Sequence, residues 1–115
     1  MNDPASLVRA AFEHLNAHDL DAYYALLTDD VVSIGRTGRF DGKDAMRAGI
    51  DLSFDAIPDH WRRVERMALS GDSVATWITF GGTVAATGEP IEIEGCVIWD
   101  IEDGSICAIR EYAAT

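Results

Sequence analysis

The sequence predicts a single α+β domain, with helices in its first half and an antiparallel sheet in its second. Three observations carry that reading. The chain has 115 residues, the size of one domain, here spanning residues 1–115. Its apolar residues recur at helical spacing up to Pro58 and at alternate positions after it. The alternating runs are separated by Ser70-Gly71-Asp72, Thr87-Gly88-Glu89-Pro90 and Glu102-Asp103-Gly104, all turn-forming clusters. Helices followed by a strand meander pack on one face of a sheet.

Residues 4–17 put Leu7, Val8, Ala11, Phe12 and Leu15 on one helical stripe. Pro4 suits the first turn and Asp3 the N-cap. Asn16-Ala17-His18-Asp19 breaks this helix, and Asp19 can cap a second over 20–27, carried by Leu20, Tyr23, Tyr24 and Leu27. Thr28-Asp29-Asp30 ends it. Val31 to Ile34 reads as a short strand, Gly35 to Gly42 as a glycine-bearing loop, and Asp44 to Phe54 as a third helix stopped by Pro58. Strands follow at 61–69 and from Val74 to Val84. In the next strand Ile91, Ile93, Gly95, Val97, Trp99 and Ile101 alternate with a mostly polar face, and Ile106 to Tyr112 forms the last.

Composition narrows the function. Apolar residues make up 48% of the chain, enough for a core without disulfides or metal. Nine Lys and Arg against twenty Asp and Glu give a net charge of −11. Such a surface repels phosphate backbones and anionic lipid, so neither nucleic acid nor membrane is expected as a partner. No apolar run nears the ~18–20 residues of a membrane span, and Met1-Asn2-Asp3-Pro4 lacks the pattern of a signal peptide. A cytoplasmic protein with Cys96 and Cys107 as free thiols is expected. His14, His18 and His60 are dispersed, so no metal site is expected.

Several segments, in order, carry a family resemblance: Leu15-Asn16-Ala17-His18-Asp19-Leu20-Asp21, Leu26-Leu27-Thr28-Asp29-Asp30-Val31, Gly42-Lys43-Asp44-Ala45-Met46-Arg47, Gly71-Asp72-Ser73-Val74, Asp103-Gly104-Ser105-Ile106 and Arg110-Glu111-Tyr112. By these the chain resembles the SnoaL-like and ketosteroid-isomerase-like members of the nuclear transport factor two-like superfamily, over nearly its whole length. The resemblance implies a cystatin-like, cone-shaped barrel: a strongly bent mixed or antiparallel sheet wrapped around three N-terminal helices. A pocket for a small apolar molecule would lie at the wide end. It also implies a homodimer through the convex sheet face, where Trp77 and Ile98 point outward. Phe12, Leu15, Ile34, Ile78, Phe80, Val97, Trp99 and Ile109 would line the pocket.

The known catalytic sets of the superfamily are depleted. Aligned on the shared motifs, the isomerase base falls at Gly35, its tyrosine at Ala11 and its protonated aspartate at Val97. The epoxide-hydrolase Arg-x-Asp falls at Ile78 and Phe80. The acid/base of SnoaL cyclases, on the last strand, matches Glu111. A lone carboxylate in an apolar pocket is suited to shuttling a proton without a cofactor in a cyclase, isomerase or hydratase reaction on a ring-like or polyketide-like compound. His14 could partner it. The other reading is a non-catalytic ligand-binding or dimerisation module.

The direction of Glu111 depends on strand register. A three-residue loop at Glu102-Asp103-Gly104 sets Val97 opposite Ile109 and Gly95 opposite Glu111, with Glu111 on the pocket face. A two-residue Asp103-Gly104 turn sends Glu111 to the other face. The resemblance favours the first register and hydrophobic alternation the second; neither brings Cys96 near Cys107. Arg62, Arg63 and Arg66 read as partners of Glu65 and an acidic sheet face, yet an inward Arg62 or Arg66 would bind an anionic ligand group. Tyr23 and Tyr24 could reach the cavity mouth, and Arg36 and Arg39 sit on the glycine-bearing loop, which could act as a lid.

Overall fold

The computed structural model describes residues 3–36 and 38–113. Three helices, α1 (Pro4–Asn16), α2 (Leu20–Tyr24) and α3 (Lys43–Ala56), pack against six strands: β1 (Leu27–Gly35), β2 (Gly38–Asp41), β3 (Trp61–Ser70), β4 (Ser73–Thr83), β5 (Pro90–Glu102) and β6 (Ser105–Ala113). The strands form one open sheet in the order β2-β1-β6-β5-β4-β3. Among the described residues only the β1–β6 pair is parallel. No described helix is long and apolar enough to cross a membrane.

The caps fall where the sequence sets them. The Asp3 carboxylate accepts from the Ser6 amide at 2.7 Å, with Pro4 in the first turn. Asp19 accepts from the Ala22 amide at 3.3 Å. The stripe Leu7, Val8, Ala11, Phe12 and Leu15 is wholly buried. Opposite it, Trp99 meets Phe12 edge to face, with ring centroids 5.2 Å apart. The Trp99 indole N–H donates to Thr76 Oγ1 at 3.1 Å, and that hydroxyl donates to the Val97 carbonyl at 3.0 Å. The polar atoms of this pair of core residues are therefore satisfied, and the ring is fixed in the floor of the cone.

Two segments differ from the sequence reading. The second helix stops at Tyr24, and Leu27 already lies in β1, paired with Ile106. The parallel ladder to β6 recruits Thr28-Asp29-Asp30 into the strand, where local propensity alone reads a turn. Within Gly35 to Gly42 a short strand, β2, folds back on β1, with Gly35 opposite Gly38. Phe40 is its apolar anchor; its ring lies so close to Gly49 of α3 that a Cβ there would stand 2.8 Å from it.

The β5–β6 hairpin combines the two expected registers. Its turn has two residues, Asp103 and Gly104, both with positive φ (52° and 79°), and Glu102 faces Ser105. The ladder then shifts: Ile101 pairs with Ile106, but Asp100 pairs with Ala108. Cys107 is the extra residue of a bulge, and its thiol donates to the Asp100 carbonyl at 3.4 Å. Beyond it Trp99 faces Ile109 and Val97 faces Glu111. The expected pairs Val97–Ile109 and Gly95–Glu111 are thus corrected by two positions. The bulge restores the parity that the short turn removes, so Glu111 lies on the concave face.

Candidate functional site

The concave face encloses a cavity of about 540 Å³. A smaller recess of about 60 Å³ lies deeper, against Phe12, Tyr23, Trp99 and Ile109. Ser33, Arg62, Val97 and Glu111 border both spaces. Of the eight residues expected to line one pocket, Phe12, Leu15, Val97, Trp99 and Ile109 border the recess, and Ile78 and Phe80 the outer cavity.

Two expected residues are elsewhere. Ile34 lines neither space: Ser33 and Gly35 face the cavity, so the strand period turns Ile34 to the other side. His14 also borders neither. It is half-buried in the last turn of α1, on a different side of the helix from the inward Phe12 and Leu15. It is not brought to Glu111.

Glu111 stands at the cavity wall with its side chain 41% exposed. One carboxylate oxygen is 4.0 Å from an Arg62 terminal nitrogen. The lone, dry carboxylate read from the sequence is replaced by one that meets both a cation and solvent. It packs beside Gly35 on the neighbouring strand. A Cβ built there would lie 3.4 Å from Glu111 Cβ and 3.6 Å from Oε2. Glu94 also borders the outer cavity, but by strand parity it belongs to the convex face.

Arg62 is the inward arginine. It pairs with Phe80 on β4, and its side chain is only 14% exposed. A bulge at Glu65 then turns Arg66 to the convex face, opposite Trp77. The Arg62 guanidinium lies 5.1 Å from the Phe80 ring centroid. Its backbone is held from the end of α1: Asn16 Nδ2 donates to the Arg62 carbonyl at 2.7 Å, and the Arg62 amide donates to Asn16 Oδ1 at 2.8 Å. Arg63 pairs with Glu65, as expected. Arg39 pairs with Asp41 on β2, away from the cavity lining. Arg36 borders the outer cavity.

Sequence reasoning gives His60 no role beyond that of a dispersed histidine at a strand start, yet it borders the recess and is 2% exposed. Its ring packs between Phe54 (4.0 Å) and Phe80 (5.4 Å). Burial, helped by the charges of Arg62 and the nearby His18, pushes its pKa down to about 4, while Asp59 opposes the shift. An Arg62 terminal nitrogen is 3.3 Å from Nδ1. Arginine can only donate, so Nδ1 accepts and the ring proton is assigned to Nε2. Nε2 has no hydrogen-bond partner among the described residues. Tyr23 also borders the recess, and burial raises its pKa, so its phenol stays neutral. Tyr24 instead packs under Arg47, 4.2 Å from its ring centroid. One sequence signal for Arg62 is its even spacing from the apolar Val64. Nothing local signals Asn16, whose partner is 46 residues away.

The neutrality of His60 gives a pH dependence. In the unfolded chain the imidazole takes up a proton near pH 6.5, and in the folded chain only near 4. Between these values the unfolded state binds more protons, so stability is full above the window and falls as pH drops through it. The hydrogen bonds of Asp59 and Asp100 lower their pKa values below 3.8, so their contribution is lost beneath that window. The urea midpoint should fall between pH 7 and 4.5, and His60→Phe should flatten that fall. An unchanged slope in the variant would contradict this account.

The comparisons agree with this architecture. A family model described as the SnoaL-like domain matches residues 8–109. No curated protein matches the sequence. An NTF2-like protein of unknown function from Burkholderia pseudomallei superposes with a TM-score of 0.91 at 20% identity, over 99% of this chain and 92% of that one. A Jannaschia protein described as a SnoaL-like polyketide cyclase gives 0.88 at 18% identity, over 96% and 84%. AclR from Streptomyces galilaeus, described as a hydroxylase, gives 0.84 at 18% identity, over 96% and 88%. These structures share the fold, an α+β cone closed by helices, and the family match decides membership: the chain belongs to the SnoaL-like domain family.

Proposed function

We propose that the protein is a cofactor-independent acid/base enzyme of the cyclase, isomerase or hydratase kind, acting on a small apolar ring-like compound. The observation that carries this reading is the position of Glu111. Its carboxylate stands on the wall of a largely apolar cavity of about 540 Å³, beside Gly35. The resemblance places the isomerase base at Gly35, and here the neighbouring strand supplies a carboxylate beside that position. A base there can take a proton from carbon beside a carbonyl and return it elsewhere on the ring. The Jannaschia neighbour described as a polyketide cyclase motivates a polyketide-like substrate.

A second reading, a ligand-binding module without turnover, is favoured by the Arg62 charge beside Glu111. The probe 5-nitrobenzisoxazole separates the two, because its elimination needs only a base. The carboxylate takes the ring C–H proton, the released pair completes a nitrile, and the N–O bond breaks to a phenolate. The enzyme reading expects saturable turnover, with Glu111→Gln lowering kcat/KM by about 10²–10⁴-fold. A rate no greater than that of free acetate, or one kept by Glu111→Gln, would contradict it.

We also propose that the convex face pairs with a second copy of the chain. Trp77 is 39% exposed there and Tyr112 56%, with Ile98 between their strands. Light scattering at micromolar concentration should give a dimer mass, and Trp77→Glu a monomer; a monomeric parent protein would refute the pairing.

A further inference from the structure

The cavity wall holds a cation that proton shuttling by Glu111 does not require. Arg62 is nearly buried, borders both the outer cavity and the recess, and is braced at each end. Asn16 clamps its backbone with two hydrogen bonds, the Phe80 ring supports one face of its guanidinium, and His60 Nδ1 accepts one of its N–H groups. Its other guanidinium N–H groups make no hydrogen bond among the described residues, and its counter-charge, Glu111, stays at 4.0 Å. A nearly buried guanidinium held this way, with donors unused, is preorganised for a planar anionic acceptor. The unpartnered His60 Nε2 and the Tyr23 phenol add neutral polar groups around the recess. His60 cannot serve as a second cation near neutral pH, and Arg36 borders only the outer cavity, so Arg62 is the cation that reaches both spaces.

We propose that Arg62 is the anion-recognition residue of the cavity, and that its ligand is a flat, largely apolar ring compound carrying an ionised oxygen group, a carboxylate or an enolate. The ring would lie among Val97, Ile78 and Phe80, with its anionic oxygens toward the guanidinium. Glu111, half in solvent, competes for the same cation, so ligand binding loosens the Arg62–Glu111 contact and frees the carboxylate to face the ligand. This inference rests on the cavity being a small-molecule site; it does not require Glu111 to be catalytic.

The test compares 2-naphthoate with 2-naphthamide, which share shape and differ in charge, by isothermal titration calorimetry. The parent protein should bind naphthoate at least about tenfold more tightly than naphthamide, the scale of one charge-assisted hydrogen bond. Arg62→Gln should abolish that preference, and an unchanged urea midpoint together with remaining naphthamide binding reports an intact cavity. Arg62→Lys should keep part of the preference, and Glu111→Gln should widen it by removing the competing charge. Equal affinities in the parent protein, or a preference that survives Arg62→Gln, would overturn the proposal. Failure of both probes to bind at millimolar concentration would overturn the small-molecule reading of the cavity and this inference with it. A base activity lost in Glu111→Gln alongside equal naphthoate and naphthamide affinities would overturn this inference alone.

Discussion

The site depends on one irregularity, the bulge at Cys107. A regular β6 paired through the two-residue turn would put Ala108, Arg110 and Tyr112 on the concave face and Ile109 and Glu111 on the convex one. Ile109 would then lose its burial, worth about 1.5–3 kcal/mol, and the Arg110 charge would enter the core. With the bulge, Ile106 and Ile109 are both buried although they are three residues apart, a spacing no regular strand allows on one face. Arg110 instead reaches Asp100 on the convex side at 2.8 Å, beside the Ser73 hydroxyl. Hydrophobic demand before and after the bulge thus fixes the direction of Glu111.

The same device operates across the sheet. Val64 and Met67 face the core with an odd spacing, and the bulge at Glu65 between them sends Arg66 outward while Arg62 stays in. Arg62 and Glu111 therefore each owe their direction to an irregular strand whose apolar neighbours have no other way to be buried together. The helices then set the depth of the cavity. The Phe12–Trp99 contact, fixed through Thr76, closes its floor, and Asn16 ties the last turn of α1 to the strand that carries Arg62. Fold and site are coupled at that point, because the same two hydrogen bonds join α1 to β3 and hold the backbone of Arg62.

Much of this was legible in the sequence because it rests on local chemistry. The caps at Asp3 and Asp19, the stripe from Leu7 to Leu15, and the alternation of Ile91 to Ile101 are short-range signals. They identify the helices, the strand order along the chain, and the inward direction of Val97 and Trp99. Long-range pairing was not legible. The parallel ladder that draws Thr28-Asp29-Asp30 into β1 and the short β2 anchored by Phe40 on Gly49 depend on partners distant in sequence. So do the Asn16–Arg62 clamp and the burial of His60. The bulge lies between these cases. The odd spacing of Ile106 and Ile109 was visible in the sequence, but it has structural meaning only once both are known to be buried.

The pairing of β5 with β6 is the claim on which the rest stands, and backbone nuclear Overhauser contacts in the isotope-labelled protein measure it directly. The account predicts cross-strand contacts between Ile101 and Ile106, then, past Cys107, between Trp99 and Ile109 and between Val97 and Glu111. Contacts pairing Cys96 with Glu111, the pattern of an unbroken ladder from the Asp103-Gly104 turn, would put Glu111 outside the cavity and contradict it.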